Sequence, residues 1–232
     1  MTKLLKSVFL LLFLAVVPFA FAAQPFAVVE LFTSEGCSSC PSADAFFSDL
    51  ATEVRKDKAK VYTLGFHVDY WDNLGWVDPF SQESFTDRQR AYANINKSKT
   101  VYTPQMVVNG QNAFSANNFE LAENAVNLAL SKEPKTELKL SRLSYNEKKR
   151  RLSFSYIVSG EVKNANLKVA LVEKSLVSDV TTGENAGRRL RHTNTVQRFE
   201  SRSLDDSQGI FDLEIPKKIN LNNASLVVFI QD

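Results

Sequence analysis

The chain has 232 residues, 44% of them hydrophobic and 23% charged, which is a globular composition with length for one large domain or a small pair and excludes a disordered chain. Of its 28 basic residues, Lys3 and Lys6 lie in a segment expected to be removed, and the remaining 26 face 26 acidic ones. That neutral balance gives no electrostatic case for a nucleic-acid partner or an anionic membrane surface.

Residues 1–23, MTKLLKSVFLLLFLAVVPFAFAA, read as a secretory signal. A short basic start is followed by an apolar stretch, a break at Pro18, and Ala20-Phe21-Ala22 as a small-residue cleavage motif. The rival, an uncleaved anchor, suffers from the interruption at Pro18 and from its shortness. The expected product is therefore exported, soluble and held in an oxidising compartment, secreted or periplasmic.

Ala27 to Phe32 is a β-branched run suited to a buried parallel strand. From Pro41 the period changes, and Ala43, Phe46, Phe47, Leu50 and Ala51 recur at helical spacing. Val61 to Tyr70 predicts a second strand. Asp78-Pro79 predicts the start of a helix, with Asp78 as N-cap and Pro79 at the first helical position. Gln105 to Asn109 predicts a third strand, and Asn109-Gly110 a turn into a fourth near Ala113 and Phe114. Asn118 opens a further helix, with Phe119, Ala122, Ala125, Val126 and Ala129 on one face. This order implies an α/β arrangement on a mixed sheet over residues 24–133. After Glu133-Pro134 the chain turns β-rich, and residues 134–232 are expected to form a sandwich-like module.

The only two cysteines, Cys37 and Cys40, stand between the first strand and the first helix. A thiol at a helix N-terminus is acidified by the unpaired amides and the dipole. Cys37 is thus a candidate nucleophile, and Cys40 is close enough to resolve a mixed disulfide formed on it. A passive staple is the weaker reading, because so short a loop gains little from cross-linking. A zinc or copper site using Cys37, Cys40 and His67 is the intermediate one, although structural zinc usually takes four protein ligands. Thr103-Pro104 precedes a buried strand well downstream, where a cis-proline loop would face the cysteines and offer its backbone to an extended substrate.

The stretches VELFTSEGCSSCP, FHVDYWDNLGW, DPF, FTDRQRAY, VYTPQMVVNG and GENAGRRLRH together resemble a secreted thioredoxin-like group, the domain-of-unknown-function family twelve-twenty-three. The resemblance runs from Val29 to His192. It implies a thioredoxin-like mixed sheet with the C-x-x-C at a helix N-terminus, followed by the β-rich module. It names no activity. Carried over from the superfamily, Cys37 resembles the attacking cysteine, Cys40 the resolving one and Pro104 the cis-proline. Glu30 resembles the buried acid that shuttles a proton for the resolving cysteine, though one extra loop residue separates it from Cys37. A carboxylate facing solvent is its equal alternative.

His67 and Asp69 lie at the end of the second strand, beside the cysteines in a parallel arrangement, and are candidates for tuning Cys37. A histidine hydrogen-bonded within the sheet is the plainer reading. Tyr70, Trp71 and Trp76, with Thr103, are candidates to line a substrate groove, or the aromatic residues close a hydrophobic edge. Arg188, Arg189, Arg191 and His192 read as a solvated basic loop, or as a loop that folds over the Cys37 face.

The leading expectation is an exported thiol–disulfide oxidoreductase whose only cofactor is its own Cys37–Cys40 disulfide. Its partners would be protein thiols or disulfides, with a membrane protein as electron donor or oxidant. A metal-binding protein and a non-catalytic adaptor are the alternatives.

Overall fold

The computed structural model describes residues 24–57, 60–160 and 162–232. The expected leader, residues 1–23, lies outside the described residues. Ten strands and three α-helices follow in the order β1 (Ala27–Thr33), α1 (Cys40–Asp57), β2 (Val61–His67), α2 (Glu83–Ile95), β3 (Gln105–Val108), β4 (Gln111–Ser115), α3 (Phe119–Leu130), β5 (Thr136–Asn146), β6 (Arg151–Gly160), β7 (Asn166–Asp179), β8 (Arg189–Ser203), β9 (Gln208–Glu214) and β10 (Ala224–Gln231), counted among the described residues.

A seven-stranded mixed sheet has the order β10-β7-β8-β2-β1-β3-β4. All seven residues of β1 are buried, because both faces of the strand are covered. Ala27, Val29 and Leu31 meet Ala43 and Phe47 of α1 and Ala122 and Val126 of α3. Val28 and Phe32 face the other way, toward Phe85 and Tyr92 of α2. This explains why β1 reads as an unbroken apolar run and not as an alternating one. β1 pairs in parallel with β2, Thr33 opposite His67, and antiparallel with β3, Phe32 opposite Gln105. The end of β1 that leads to the cysteines therefore also holds His67 and the Thr103–Pro104 segment.

The β-rich segment divides. β5, β6 and β9 form a separate three-stranded sheet. Its Phe154, Tyr156, Phe211 and Leu213 pack on Leu167, Val169 and Leu171 of β7, in a sandwich-like layer. The strands β7, β8 and β10 instead continue the large sheet.

Local chemistry matches several expectations. Asn109 and Gly110 both have positive φ, 48° and 70°, as a tight hairpin between β3 and β4 requires. The Asn118 side chain accepts a hydrogen bond from Leu121 N and caps α3.

Three expectations are corrected. α2 begins at Glu83 with Gln82 at its N-cap, not at Asp78-Pro79. The Asp78 carboxylate is used elsewhere: Oδ1 accepts from Phe80 N, and Ser81 N donates to Asp78 O, which ties residues 78–81 into a turn that delays the helix. β2 ends at His67 and not at Tyr70, because Asp72 N bonds to Asp69 O and Leu74 N to Trp71 O, turning the chain. The Arg188–His192 stretch is not a solvated loop, since β8 starts at Arg189 and His192 is buried.

β8 went unseen in the sequence because it lacks an apolar alternation. Its register with β2 is confined to Gly65 opposite Thr195. At Asn194, where φ is +48°, the distal part of the β7–β8 hairpin departs from β2. Thr193 Oγ1 then donates to Ser48 Oγ of α1, and the His192 ring packs edge-on to His67 with centroids 4.7 Å apart.

Candidate functional site

Cys37 and Cys40 are joined as a disulfide. Two consecutive turns carry the chain from β1 into α1: Cys37 N donates to Ser34 O, and Cys40 N donates to Cys37 O. The helix proper starts at Cys40, so Cys37 sits in the turn ahead of it, at the positive end of the helix dipole. Both cysteines are fully buried, whereas Ser38 and Ser39 between them are exposed. Ser39 Oγ lies 3.4 Å from Cys37 Sγ.

Next to this turn is a cluster of ionisable side chains drawn from five parts of the chain. Glu35 leads into the motif, His67 ends β2, Asp78 belongs to the turn before α2, His192 comes from β8, and Asp44 lies one helical turn beyond Cys40 in α1. His67 Nδ1 is 2.7 Å from Asp78 Oδ2, which also accepts from Glu35 N at 2.9 Å. His192 Nε2 is 2.8 Å from Glu35 Oε1. The other Glu35 oxygen accepts from Trp76 Nε1 at 2.8 Å and from Ser178 Oγ at 3.1 Å. Thr33 Oγ1 donates to Asp44 Oδ2. Glu35, His67, Asp78 and His192 are all buried.

The charges set one another's protonation. Burial works against a charged His67, yet Asp78 first, and then Asp44 and Glu35, outweigh it and hold the imidazole above its ordinary 6.5. Burial would likewise raise Asp78, but the His67 charge and the hydrogen bonds from His67, Glu35 N and Phe80 N keep it below its ordinary 3.8. Asp44 moves the other way. Burial raises its carboxyl above 3.8 despite His192, His67 and the Thr33 hydroxyl.

The tip of the β7–β8 hairpin closes the cluster from outside. Asn185 Nδ2 donates to Glu35 O at 2.8 Å and to Cys37 O at 2.9 Å. Glu184 Oε2 accepts from Ser38 N at 3.0 Å, and these Ser38 hydrogen bonds hold the Glu184 carboxyl below its ordinary range.

The sequence-predicted residues are distributed as follows. Cys37 and Cys40 are bonded to each other, and His67 is linked to the stretch ahead of them through Asp78, which accepts from Glu35 N. The Thr103–Pro104 peptide is cis, and Ala116 N donates to Pro104 O, while the next residue, Asn117, donates to Ser39 O. Trp71 lies against the turn itself, since a Cβ built on Gly36 would stand 3.1 Å from Trp71 Cβ. The Tyr70 hydroxyl, Trp71 Nε1 and Thr103 Oγ1 are buried without a well-formed hydrogen bond. Burial pushes the Tyr70 hydroxyl up to about 12, against weak contributions from Gln89, Thr103 and Trp71.

Asp69 is turned away from the cluster. Its amide and carboxylate both engage Thr86 Oγ1 on α2. Glu30 does not face solvent; it is 1% exposed. It lies on the α2 face of β1, opposite α1, where Arg88 holds it with two hydrogen bonds of 2.6 and 2.8 Å and Tyr92 Oη donates to it at 2.6 Å.

Sequence reasoning missed Glu35, Asp44, Asp78 and Asn185 as members of the site. Glu35 and Asp44 had a usable signal, since they flank the cysteines at two residues before and at one helical turn after. Asp78 and Asn185 are brought in over distances of 43 and 148 residues or more, which spacing does not show. Among the described residues, no group of three or more His, Cys, Asp or Glu side chains is disposed to hold a metal ion, and no helix is long and apolar enough to cross a membrane.

Residues 28–231 match the model of a family described as a protein of unknown function, DUF1223. The chain belongs to that family. No curated protein matches it. Two solved structures share its fold. The crystal structure of protein AGR_C_4864 from Agrobacterium tumefaciens is 24% identical, with a TM-score of 0.63 over 83% of this chain and 80% of that one. HBP35 of Porphyromonas gingivalis is 14% identical, with a TM-score of 0.65 over 89% of this chain and 69% of that one.

Proposed function

We propose that this family member is an exported thiol–disulfide oxidoreductase on a thioredoxin-like frame. One observation carries the reading: the disulfide stands at the start of α1, beside a buried set of titratable acids and histidines that spans five parts of the chain. A structural bond across so short a loop contributes roughly 2 kcal/mol at most. It does not require two buried ion pairs next to it.

In the oxidised protein, a partner thiolate attacks Cys37 Sγ. The Cys37–Cys40 bond breaks, its electron pair leaves on Cys40, and Cys40 takes up a proton. A second partner thiolate then attacks the partner sulfur of the mixed disulfide and releases Cys37. The partner leaves as a disulfide, and two electrons remain on the Cys37–Cys40 pair. In reverse, the Cys37 thiolate attacks a partner disulfide and Cys40 resolves it. Cys37 is the better leaving and attacking group because it stands at the N-terminal end of α1, whose dipole favours its negative charge.

Asp44 is the group suited to carry the Cys40 proton. It shares the helix face of Cys40 by its four-residue spacing, and burial gives its carboxyl proton affinity above the ordinary carboxylate range. Glu30, bound to Arg88 across the sheet, is the less suitable of the two. Pro104, Thr103, Tyr70 and Trp71 border the same end of the sheet and would hold the substrate segment. A membrane protein on the exported side would recycle the pair.

The test is a glutathione titration of the mature protein, with both thiols trapped and counted. A reversible transition between about −120 and −270 mV is expected for a thiol–disulfide catalyst. A pair that stays oxidised below about −300 mV would mark a structural bond and overturn the reading.

A further inference from the structure

Cys37 and Cys40 have no exposed surface, yet Ser38 and Ser39 between them are exposed. The disulfide is therefore close to the surface and covered. The tip of the β7–β8 hairpin lies over the backbone of the turn that carries it. Asn185 bonds to the carbonyls of Glu35 and Cys37, Glu184 accepts from Ser38 N, Thr182 Oγ1 donates to Gly75 O, and Gly183 packs on Trp76.

We propose that residues 181–187 are a built-in cap with Asn185 as its latch, so that exchange at Cys37 is rapid only with a polypeptide partner that displaces the tip. This inference rests on the thiol–disulfide reading and adds the partner's chemistry to it.

The cap is built to open. Its base is fixed: Val180 N donates to Arg188 O and Gly187 N donates to Val180 O. Between these points Gly183 and Gly187 hold φ of +77° and +79°, conformations that glycine adopts without strain. Thr181, Thr182, Glu184 and Ala186 are exposed, so no apolar side chain anchors the tip. Asn185 is the one fully buried residue, and its Oδ1 finds no partner among the described residues. Opening returns that oxygen to water, which offsets part of what the lost hydrogen bonds contribute.

The displaced contacts define what replaces them. The cap satisfies two carbonyl acceptors with a donor and one amide donor with an acceptor. A stretch of extended backbone supplies both kinds of group in alternation. The partner is thus an extended polypeptide segment carrying the thiol or disulfide. Small thiols, which lack these groups in sequence, exchange more slowly and reach equilibrium only on long incubation.

The experiment compares reduction of the Cys37–Cys40 disulfide by a small phosphine in the mature chain and in Asn185→Ala and Glu184→Gln. The phosphine gives two electrons to the S–S bond and leaves as its oxide with oxygen from water, so no protein partner enters the readout. Asn185→Ala should be reduced at least about tenfold faster, and Glu184→Gln about two- to fivefold faster. Equal rates in the wild type and both folded variants would overturn the cap. Glu184 is exposed, so its variant decides the matter if Asn185→Ala does not fold. A glutathione titration that finds a structural bond, together with accelerated reduction in the variants, would remove the exchange reading and leave the cover itself in place.

Discussion

Two buried charge clusters lie on opposite sides of β1, and they are built on different principles. On the α2 side, Glu30 is held by Arg88 and Tyr92, and Arg88 also bonds to Gln231 and lies over the Phe199 ring, 4.3 Å from its centroid. Both Glu30 oxygens are engaged, and an arginine does not give up its proton at any ordinary pH. On the α1 side, the partners of the carboxylates are histidines. His192 Nδ1 and Asn185 Oδ1 are buried without partners among the described residues, and Asp44 is biased toward its protonated form. The first cluster fixes the sheet to α2 and to the last strand. The second can exchange protons, and it is the one beside the disulfide. The difference teaches that burial of charge does not by itself mark a functional site. What marks it is a titratable partner and an incomplete hydrogen-bond set.

The comparison breaks most severely at Arg88. Arg88→Met leaves the Glu30 carboxylate buried without its cation, and the loss of stability should be about 3–5 kcal/mol by urea unfolding. The redox potential of the fraction that remains folded should not move. A shifted potential would mean that the two clusters are coupled through β1.

His192→Leu should have the next largest effect. Glu35 keeps Trp76 and Ser178 but loses its hydrogen-bond partner on Oε1, at a cost of roughly 1–3 kcal/mol. Here the potential should move to more negative values. The substitution leaves a Glu35 oxygen without its partner two residues before Cys37, and the unpaired acceptor disfavours the thiolate and hence the reduced form. An unchanged potential in the folded variant would detach the cluster from the cysteines.

The smallest effect sharpens the contrast through pH. The folded His67 is held above its ordinary 6.5 by Asp78, so its contribution is complete below that value and is lost as pH rises through the folded one. Asp78, held below 3.8, contributes above that value and loses its contribution as pH falls through the folded one. Asp44, raised above 3.8, stabilises most below that value and loses its effect as pH rises through its folded one. Urea midpoints measured against pH should thus decline as pH rises above 6.5 in the wild type. His67→Gln should flatten that limb. A limb of unchanged slope in His67→Gln would show that the His67–Asp78 pair does not titrate as described.

The sequence alone determined the parts that local physics governs. An unbroken apolar run, a change of period at Pro41, an Asn-Gly pair and an Asn ahead of a helical pattern each specify an element through backbone geometry or burial over a few residues. β1, α1, the β3–β4 hairpin and α3 follow from them. The cysteine pair and the proline loop were legible for the same reason, since their chemistry is written within one motif each.

What only the tertiary structure decided lies in the meeting of distant segments. Asp78 looked like a helix cap because Asp-Pro favours one locally. Instead, His67 and Glu35 N, 11 and 43 residues away, claim its carboxylate. His192 looked solvated among arginines, because nothing near it in sequence announces Glu35, 157 residues away. β8 carries polar residues on its inner side, and a polar strand leaves no apolar period to detect. The site is assembled by hydrogen bonds and charge pairs that desolvation strengthens. Such contacts depend on where side chains converge in space, and spacing along the chain does not encode that.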